Sequence, residues 1–550
     1  MTTTIRVGLS TCGLAAGAQA VYAAIEAQVR QRQLPAVVQR TGCLGACHRE
    51  PLVEVIDASG STLYGPLHAD QVPALLSHHF GAEHRPLPPD WVVSRRADRS
   101  DYTFLGRQVK VTTQLCGVID AHSLDDYLAH DGYQALRQAL LMSPEQVVQV
   151  IRDSRLRGRG GAGFPTGQKW EISRRQPGQT KYIICNADEG DPGAFMDRTM
   201  VEGDPHRVLE GMLIAAHAIG ASKGYIYIRA EYPLAVKALH EAIAQARAYG
   251  VVGKDILGSG LNFEFVVKEG AGAFVCGEET ALMRSIEGYR GMPTMRPPYP
   301  SEHGLWGHPT NINNVETYAS TPSILLNGPG WFAGMGTERS GGTKAFALAG
   351  AVQNSGLVEI PIGMSLREMV YTIGGGCRGG RAFKAVQLGG PSGGCIPADL
   401  LDTRIDYEDL RATGAIMGSG GMIVADETTC MVDIARYFLT FTQDESCGKC
   451  IPCRVGTRKM LHMLTDITQG RGTEAELARL LALCETVHKT SLCGLGQTAP
   501  NPVLTTLRYF EDEYMAHVLH KRCPAGSCTF DGPVADGSTG QEGNHGHHHH

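Results

Sequence analysis

The chain has 550 residues, 43% hydrophobic and 19% charged, with a formal net charge of −6. That length points to about three to five domains, and the charge leaves no footprint for nucleic acid or an anionic membrane surface. No apolar run approaches the roughly 20 residues of a membrane span, and the opening MTTTIRVGLSTC lacks the basic and apolar regions of a signal peptide. Sixteen cysteines in a chain with no sign of an oxidising compartment indicate metal binding in a cytoplasmic protein rather than a disulfide framework. The terminal NHGHHHH has the look of a purification tag, so residues from Val534 on are set aside.

Residues 1–82 read as a small α/β unit. Ile5–Leu9 forms a strand, Val21, Ile25 and Val29 recur at helical spacing, and Cys12, Cys43 and Cys47 fall on loops. Residues 83–110 open with a Pro-rich, charged stretch without periodicity, as a linker should. Ser143, Pro144 and Gln146 then form a capping box that starts a helix reaching Gly158. Gly158, Gly160 and Gly163 satisfy G-x-G-x-x-G, but the dinucleotide fingerprint needs a preceding strand, and here a helix precedes. The remaining physics favours a phosphate: the glycines let backbone N–H groups approach an anion, and Arg159 and Lys169 add positive charge.

Downstream, strands and helices alternate, which predicts a mostly parallel sheet with helices on its faces. The strand at Tyr182–Cys185 leads directly into Asn186, Asp188, Glu189 and Asp191, polar groups at a strand's C-terminal end. Gly277 turns into a helix opening with Glu278, Glu279 and Thr280, acidic residues that suit a helix N-terminus. A smaller β-rich unit spans 340–426, and its GGPSGG lacks the Lys–Ser or Lys–Thr of a phosphate loop and reads as a turn. Helices fill 427–530, the rest being tail. Within them Cys447, Cys450 and Cys453 stand at C-x2-C-x2-C spacing with Cys493 following, a three-plus-one set suited to a [4Fe-4S] cluster. Zinc, the competitor, ordinarily takes two C-x2-C pairs or Cys and His pairs, and no second pair follows. Cys484 reads as core, and Cys523 and Cys528 resemble half a metal site with no other ligands in view.

The strings GRGGAGFPTGQKW, NADEGDPGAF, GAGAFVCGEETAL, HPTNINNVET and ESCGKCIPC…SLCG, in this order, resemble the NADH-binding 51-kDa-type flavoprotein subunit of respiratory complex I and related diaphorases. The likeness runs from about Asp120 to Cys528. It implies a multidomain α/β and α fold: a thioredoxin-like module (1–82), a linker (83–110), a Rossmann-like FMN- and NAD-binding domain (111–339), a ubiquitin-like β-grasp insert (340–426), a helical [4Fe-4S] domain (427–530) and a tail (531–550). The resemblance implies FMN held by Gly158, Arg159, Gly160, Gly161, Ala162, Gly163, Phe164 and Lys169, with Asn186, Asp188, Asn313, Asn314 and Thr317 around the flavin. It places NAD(H) against Glu189, Phe274, Gly277, Glu278, Glu279 and Tyr299. Glu189 would assist nucleotide placement, and no acid–base triad is expected. Asp191, Phe274, Tyr299 and Ile172 depart from the complex I form. The N-terminal unit is similar to a [2Fe-2S] module, but Val7 stands where the partner of Cys12 would be, so no cluster is expected there. The two redox groups together imply a converter between paired and single electrons. The fused N-terminal module most resembles the β (diaphorase) subunit of an NAD-dependent molybdenum formate dehydrogenase. That implies a molybdopterin iron–sulfur catalytic subunit and a small thioredoxin-like [2Fe-2S] subunit as partners. An NAD-reducing hydrogenase, complex I, and a non-catalytic cluster-bearing scaffold are the alternatives.

Overall fold

Three β-sheets and a helical bundle account for residues 2–81 and 85–530, which this computed structural model describes; the expected tail at 531–550 lies outside the described residues. The first sheet contains β1 (Thr3–Gly8), β2 (Ala36–Thr41), β3 (Val53–Asp57), β4 (Gly60–Tyr64) and β5 (Val92–Ser94), ordered β2-β1-β3-β4-β5. β1 and β2 run parallel, joined through the helix Ala18–Gln31, which buries Val21 and Ile25 as their spacing predicts. β5 falls within residues 83–110. That connector is therefore laid along β4 for part of its length instead of crossing open solvent.

The second sheet positions the site. Its strands β6 (Tyr182–Ala187), β7 (Lys223–Arg229), β8 (Glu264–Gly270) and β9 (Thr310–Asn314) are all parallel, in the order β8-β7-β6-β9. Runs such as YIIC and YIYI suit strands covered on both faces, and Ile183, Ile184 and Ile226 are fully buried. The crossovers carry the helices Pro205–Ile219 and Pro233–Tyr249. Upstream, the helix Pro144–Asp153 starts on the predicted capping box of Ser143 with Gln146. It stops at Asp153 rather than running on to Gly158, because Ser154 Oγ turns back to Ile151 O and Arg155 adopts a φ of +55°. No right-handed helix continues through that conformation.

The third sheet contains β10 (Thr343–Gly350), β11 (Gly356–Pro361), β12 (Phe383–Leu388), β13 (Gly394–Pro397) and β14 (Gly421–Asp426), ordered β11-β10-β14-β12-β13. β10 and β14 are parallel and the other pairs antiparallel. The GGPSGG stretch is a turn, as its composition suggests, with Ser392 O accepting from Asn501 at 2.8 Å. Helices Met431–Asp444, Thr457–Thr468, Glu474–Thr490, Asn501–Tyr509 and Glu511–Leu519 then pack around Leu439, Leu464, Leu480 and the core residue Cys484.

A buried ion pair ties the second sheet to the third. Lys344 on β10 and Glu316 on the helix Val315–Asn327 have side chains 0% and 1% exposed, and Glu316 also accepts from Ala345 N at 2.8 Å. Burial pushes the Glu316 carboxyl up, while Lys344 and Arg159 pull it down. Removing one partner of such a pair strands a charge in the interior, at a cost of about 3–5 kcal/mol. Lys344→Met should therefore lower the thermal unfolding midpoint markedly, and Lys344→Met combined with Glu316→Gln should recover much of the loss by scanning calorimetry.

Candidate functional site

Several loops converge on the C-terminal ends of β6 and β9, where an open parallel sheet presents its ligand site. The glycine loop 158–163 lies between the helices Pro144–Asp153 and Thr166–Arg175, and Gly158 N donates to Phe164 O at 2.8 Å. At Gly163 φ is +67° and a Cβ would stand 2.4 Å from the Tyr407 ring; at Gly160 it would stand 3.2 Å from Asn314 Cβ. Gly161 packs against Gly418 of the third sheet's entry to β14. Arg159 N donates to Thr317 Oγ1 at 2.9 Å, and Phe164 stands half-exposed at the rim beside Ala162. The Arg159 side chain itself turns inward. It is 0% exposed, and its guanidinium donates to Thr343 O, Gly341 O and Arg157 O at 3.0, 2.7 and 3.0 Å. Lys169 Nζ donates to Ile312 O at 2.6 Å and lies 3.7 Å from Glu279.

Asp188 is the anomaly of the site. It is 8% exposed, yet neither carboxylate oxygen has a hydrogen-bond partner. Burial pushes its carboxyl up to about 7, with Arg229 pulling it the other way. Buried acceptors without donors are rare in folded proteins. This pair fits a ligand edge that carries N–H groups. Gly277 leaves room beside it, since a Cβ there would come within 3.9 Å of Asp188 Oδ2. The neighbouring polar groups, by contrast, are already engaged. Asn186 donates to Gly277 O at 2.9 Å, and Asn313 accepts from Trp170 Nε1 at 2.9 Å. Asn314 caps the helix Val315–Asn327 and donates to Asp197 at 2.6 Å. Glu189 accepts from Asp197 N and Arg198 N at 3.0 and 3.1 Å, capping the helix Met196–Gly203. Burial lifts Asp191 to about 6, and its carboxylate accepts from Ser419 Oγ at 2.6 Å.

The two glutamates after Gly277 divide their tasks. Glu278 is the cap of the helix Glu279–Ile286, accepting from Thr280 N and Ala281 N, each at 3.0 Å. Glu279 is left to face two cations, Arg296 at 2.5 Å and Lys169. Phe274 meets Phe441 edge-on, with ring centroids 5.2 Å apart, and Tyr299 is 52% exposed. Trp170, Arg296 and Tyr407 were not singled out from the sequence. Trp170 lies in the quoted GQKW string, but nothing near Tyr407 signals that it walls a loop some 250 residues upstream, with its OH donating to Gly158 O at 2.9 Å.

Cys447, Cys450, Cys453 and Cys493 line one cavity with Val275, Pro293 and Leu495. A single tetrahedral ion would draw its ligand atoms to within about 4 Å of one another. Four thiols around one cavity suit a four-iron cluster, in which each iron takes one cysteine sulfur. Burial pushes the Cys453 thiol up to about 11, so loading must displace protons. Residues 274–279 touch both sites: Val275 lines the cysteine cavity, and Gly277 O accepts from Asn186. In the first sheet's loops, Cys12 Sγ lies 3.7 Å from Cys47 Sγ, and the Cys43 thiol reaches Glu50 at 3.6 Å. Hydrogen bonds from Cys43 and Cys47 hold the Cys12 thiol down to about 3.

A parallel-sheet pocket with a glycine loop, one turn of chain from a four-thiol cavity, defines a flavin and iron–sulfur electron carrier. Residues 151–323 match the Nuo51 FMN-binding domain, and residues 433–517 match the NADH-ubiquinone oxidoreductase-F iron-sulfur binding region. The chain is 57% identical over 423 residues to the NADP-reducing hydrogenase subunit HndC of Solidesulfovibrio fructosivorans, covering 77% of this chain and 86% of that protein. It is 46% identical over 408 residues to an NADH-quinone oxidoreductase subunit of Rhizobium meliloti (strain 1021), covering 74% and 97%. A crystal structure of an NAD+-reducing [NiFe]-hydrogenase in the H2-reduced state superposes with a TM-score of 0.66 at 31% identity, over 94% of this chain and 84% of that one. The chain belongs to the family of 51-kDa-type NADH-binding flavoproteins, with FMN, a [4Fe-4S] cluster and NAD(H) as its cofactors.

Asp188 yields a pH test. Its carboxyl sits near 7 in the fold against an ordinary 3.8, so the folded state holds the proton more tightly. In flavin-free protein its contribution to stability is intact below about pH 4 and is lost as pH rises to about 7. Asp188→Asn should therefore gain on the parent across that window, by at most ~4 kcal/mol, with a constant difference above about pH 8 in urea titrations. The same variant should retain at least tenfold less FMN.

Proposed function

We propose that the chain is the diaphorase subunit of a multisubunit NAD-linked oxidoreductase, passing electrons between a nicotinamide nucleotide and centres on partner subunits. The observation that carries this reading is the unpartnered Asp188 pocket, joined to the four-cysteine cavity by the segment that runs from Val275, in the cavity wall, to Gly277, beside Asp188. When bound, FMN exchanges electrons as a hydride and also singly, and the cluster carries them singly. In this reading the backbone of the 158–163 loop and Lys169 hold the phosphate, while Asp188 and Asn186 orient the ring edge. The inward guanidinium of Arg159 braces the loop from behind. Phe274, Glu279 and Tyr299 border the nucleotide, with Glu189 fixing the helix beneath it. The capping and pairing network around Glu278 and Glu279 keeps that border rigid. No side chain needs to move a proton for hydride exchange.

The mixed first sheet fits a thioredoxin-like module at 1–82, and the third sheet fits a ubiquitin-like insert at 340–426. Both serve in this reading as docking surfaces for the rest of the complex. The relatives named above are hydrogenase and NADH-quinone oxidoreductase subunits, which favours a hydrogen-activating partner over the formate dehydrogenase expected from the N-terminal module. Co-purification decides between them: a nickel- or iron-containing hydrogenase subunit supports the present reading, and a molybdopterin subunit returns it to formate. Within the chain, Cys453→Ser should leave NADH-driven ferricyanide reduction largely intact while abolishing transfer to the partner. Retention of full partner reduction would remove the cluster from the path.

Glu279 bears on nucleotide choice. A carboxylate at this place accepts a bond from the ribose 2′-hydroxyl of NAD and repels a 2′-phosphate. Glu279→Gln would also release Arg296 to meet that phosphate. The ratio of NADPH- to NADH-dependent ferricyanide reduction should rise about tenfold or more, the equivalent of ~1.4 kcal/mol. An unchanged ratio would confine Glu279 to pairing with its two cations.

A further inference from the structure

The helical domain gathers a second set of soft ligands away from the electron path. Cys430 precedes the helix Met431–Asp444, His517 lies on the helix Glu511–Leu519, and Cys523 and Cys528 follow that helix. One ligand atom from each of the four lies within 4.8 Å of all the others. His517 Nε2 is 3.6 Å from Cys430 Sγ and 3.4 Å from Cys528 Sγ, and those two sulfurs are 3.6 Å apart. Tetrahedral zinc with ordinary Zn–S and Zn–N bonds sets S···S at about 3.8 Å and S···N at about 3.6 Å. The side chains already stand at that spacing. His517 Nδ1 lies 2.7 Å from Glu513 O, so Nδ1 carries the proton and Nε2 turns its lone pair toward the thiols. Ligating histidines are held in this manner. Cys430, His517 and Cys523 are 2%, 0% and 8% exposed.

We propose that Cys430, His517, Cys523 and Cys528 bind one zinc ion as a closed, structural Cys3His site. Four protein ligands leave no open position for a substrate, which marks a structural rather than a catalytic metal. Thiolate and imidazole donors at single-ion spacing suit zinc; they exclude a hard oxygen-seeking cation and are too close for an iron–sulfur cluster. Each cysteine binds as a thiolate, so loading releases the thiol protons to solvent. The ion would pin the segment after the last helix to the head of Met431–Asp444, whose other end leads into Glu445 and Cys447. It thereby clamps the frame that carries the cluster ligands without touching the cluster.

The complex should be purified from zinc-supplied cells and washed with EDTA to strip ions from the terminal histidines. It should retain about one zinc per chain beyond its iron, and its zinc-edge X-ray absorption should show three sulfurs and one nitrogen. His517→Ala and Cys528→Ser should each lose that zinc, keep full iron and flavin content, and melt several degrees lower. Zinc absent from the washed parent, zinc persisting in both variants, or a shell of nitrogens and oxygens would overturn the site. Should His517→Ala fail to accumulate, Cys528→Ser and the absorption spectrum of the parent still decide the question.

Discussion

The segment Phe274–Glu279 is the constraint on which the rest of the molecule depends. Its carbonyl at Gly277 is held by Asn186 at the end of β6, and its amide at Phe274 is held by Glu445, two residues before the first cluster cysteine. Val275 walls the cysteine cavity, and Glu278 caps the helix that follows. A hydride acceptor and a one-electron carrier must sit close together and stay there. Here one short piece of backbone is hydrogen-bonded both to the end of β6 and to the approach to the cluster cysteines, so the two sites share a support.

Around that segment, polar burial is used in two contrasting ways. Glu189, Glu316 and Arg159 are as buried as Asp188, but each has its hydrogen bonds satisfied within the chain. They act as fixed struts that join helix to strand and sheet to sheet. Asp188 alone among the predicted flavin contacts keeps both acceptors unpartnered. A desolvated carboxylate in that state is costly, and the surrounding struts prevent the fold from relaxing to supply a donor. The neighbours thus fix the pocket and leave Asp188 without a donor from the chain.

Much of this was legible in the sequence where chemistry and spacing are local. The capping box at Ser143, the strand–polar boundary at Asn186 and Asp188, and the three-plus-one cysteines each announce themselves within a few residues. What depends on distant partners was not legible. A cation among glycines reads the same whether it faces a phosphate or, like Arg159, three carbonyls. Glu278 and Glu279 are indistinguishable in composition, and only the turn of the backbone makes one a cap and the other a partner of Arg296. Cys523 and Cys528 resembled half a site because their companions include Cys430, almost a hundred residues earlier.

The wall that the third sheet lends to the glycine loop has a consequence for biosynthesis. Gly161 rests on Gly418, Gly163 is overlaid by Tyr407, and Asp191 is held by Ser419. The loop leaves the ribosome long before those residues do. The pocket therefore cannot close around its ligand while the sheet that bears it is being made; it must wait, half-walled, for a segment translated some 250 residues later. A nascent chain stalled before Ser419 would carry the glycine loop without the wall that Tyr407 and Gly418 lend it, and Asp191 without its hydroxyl donor.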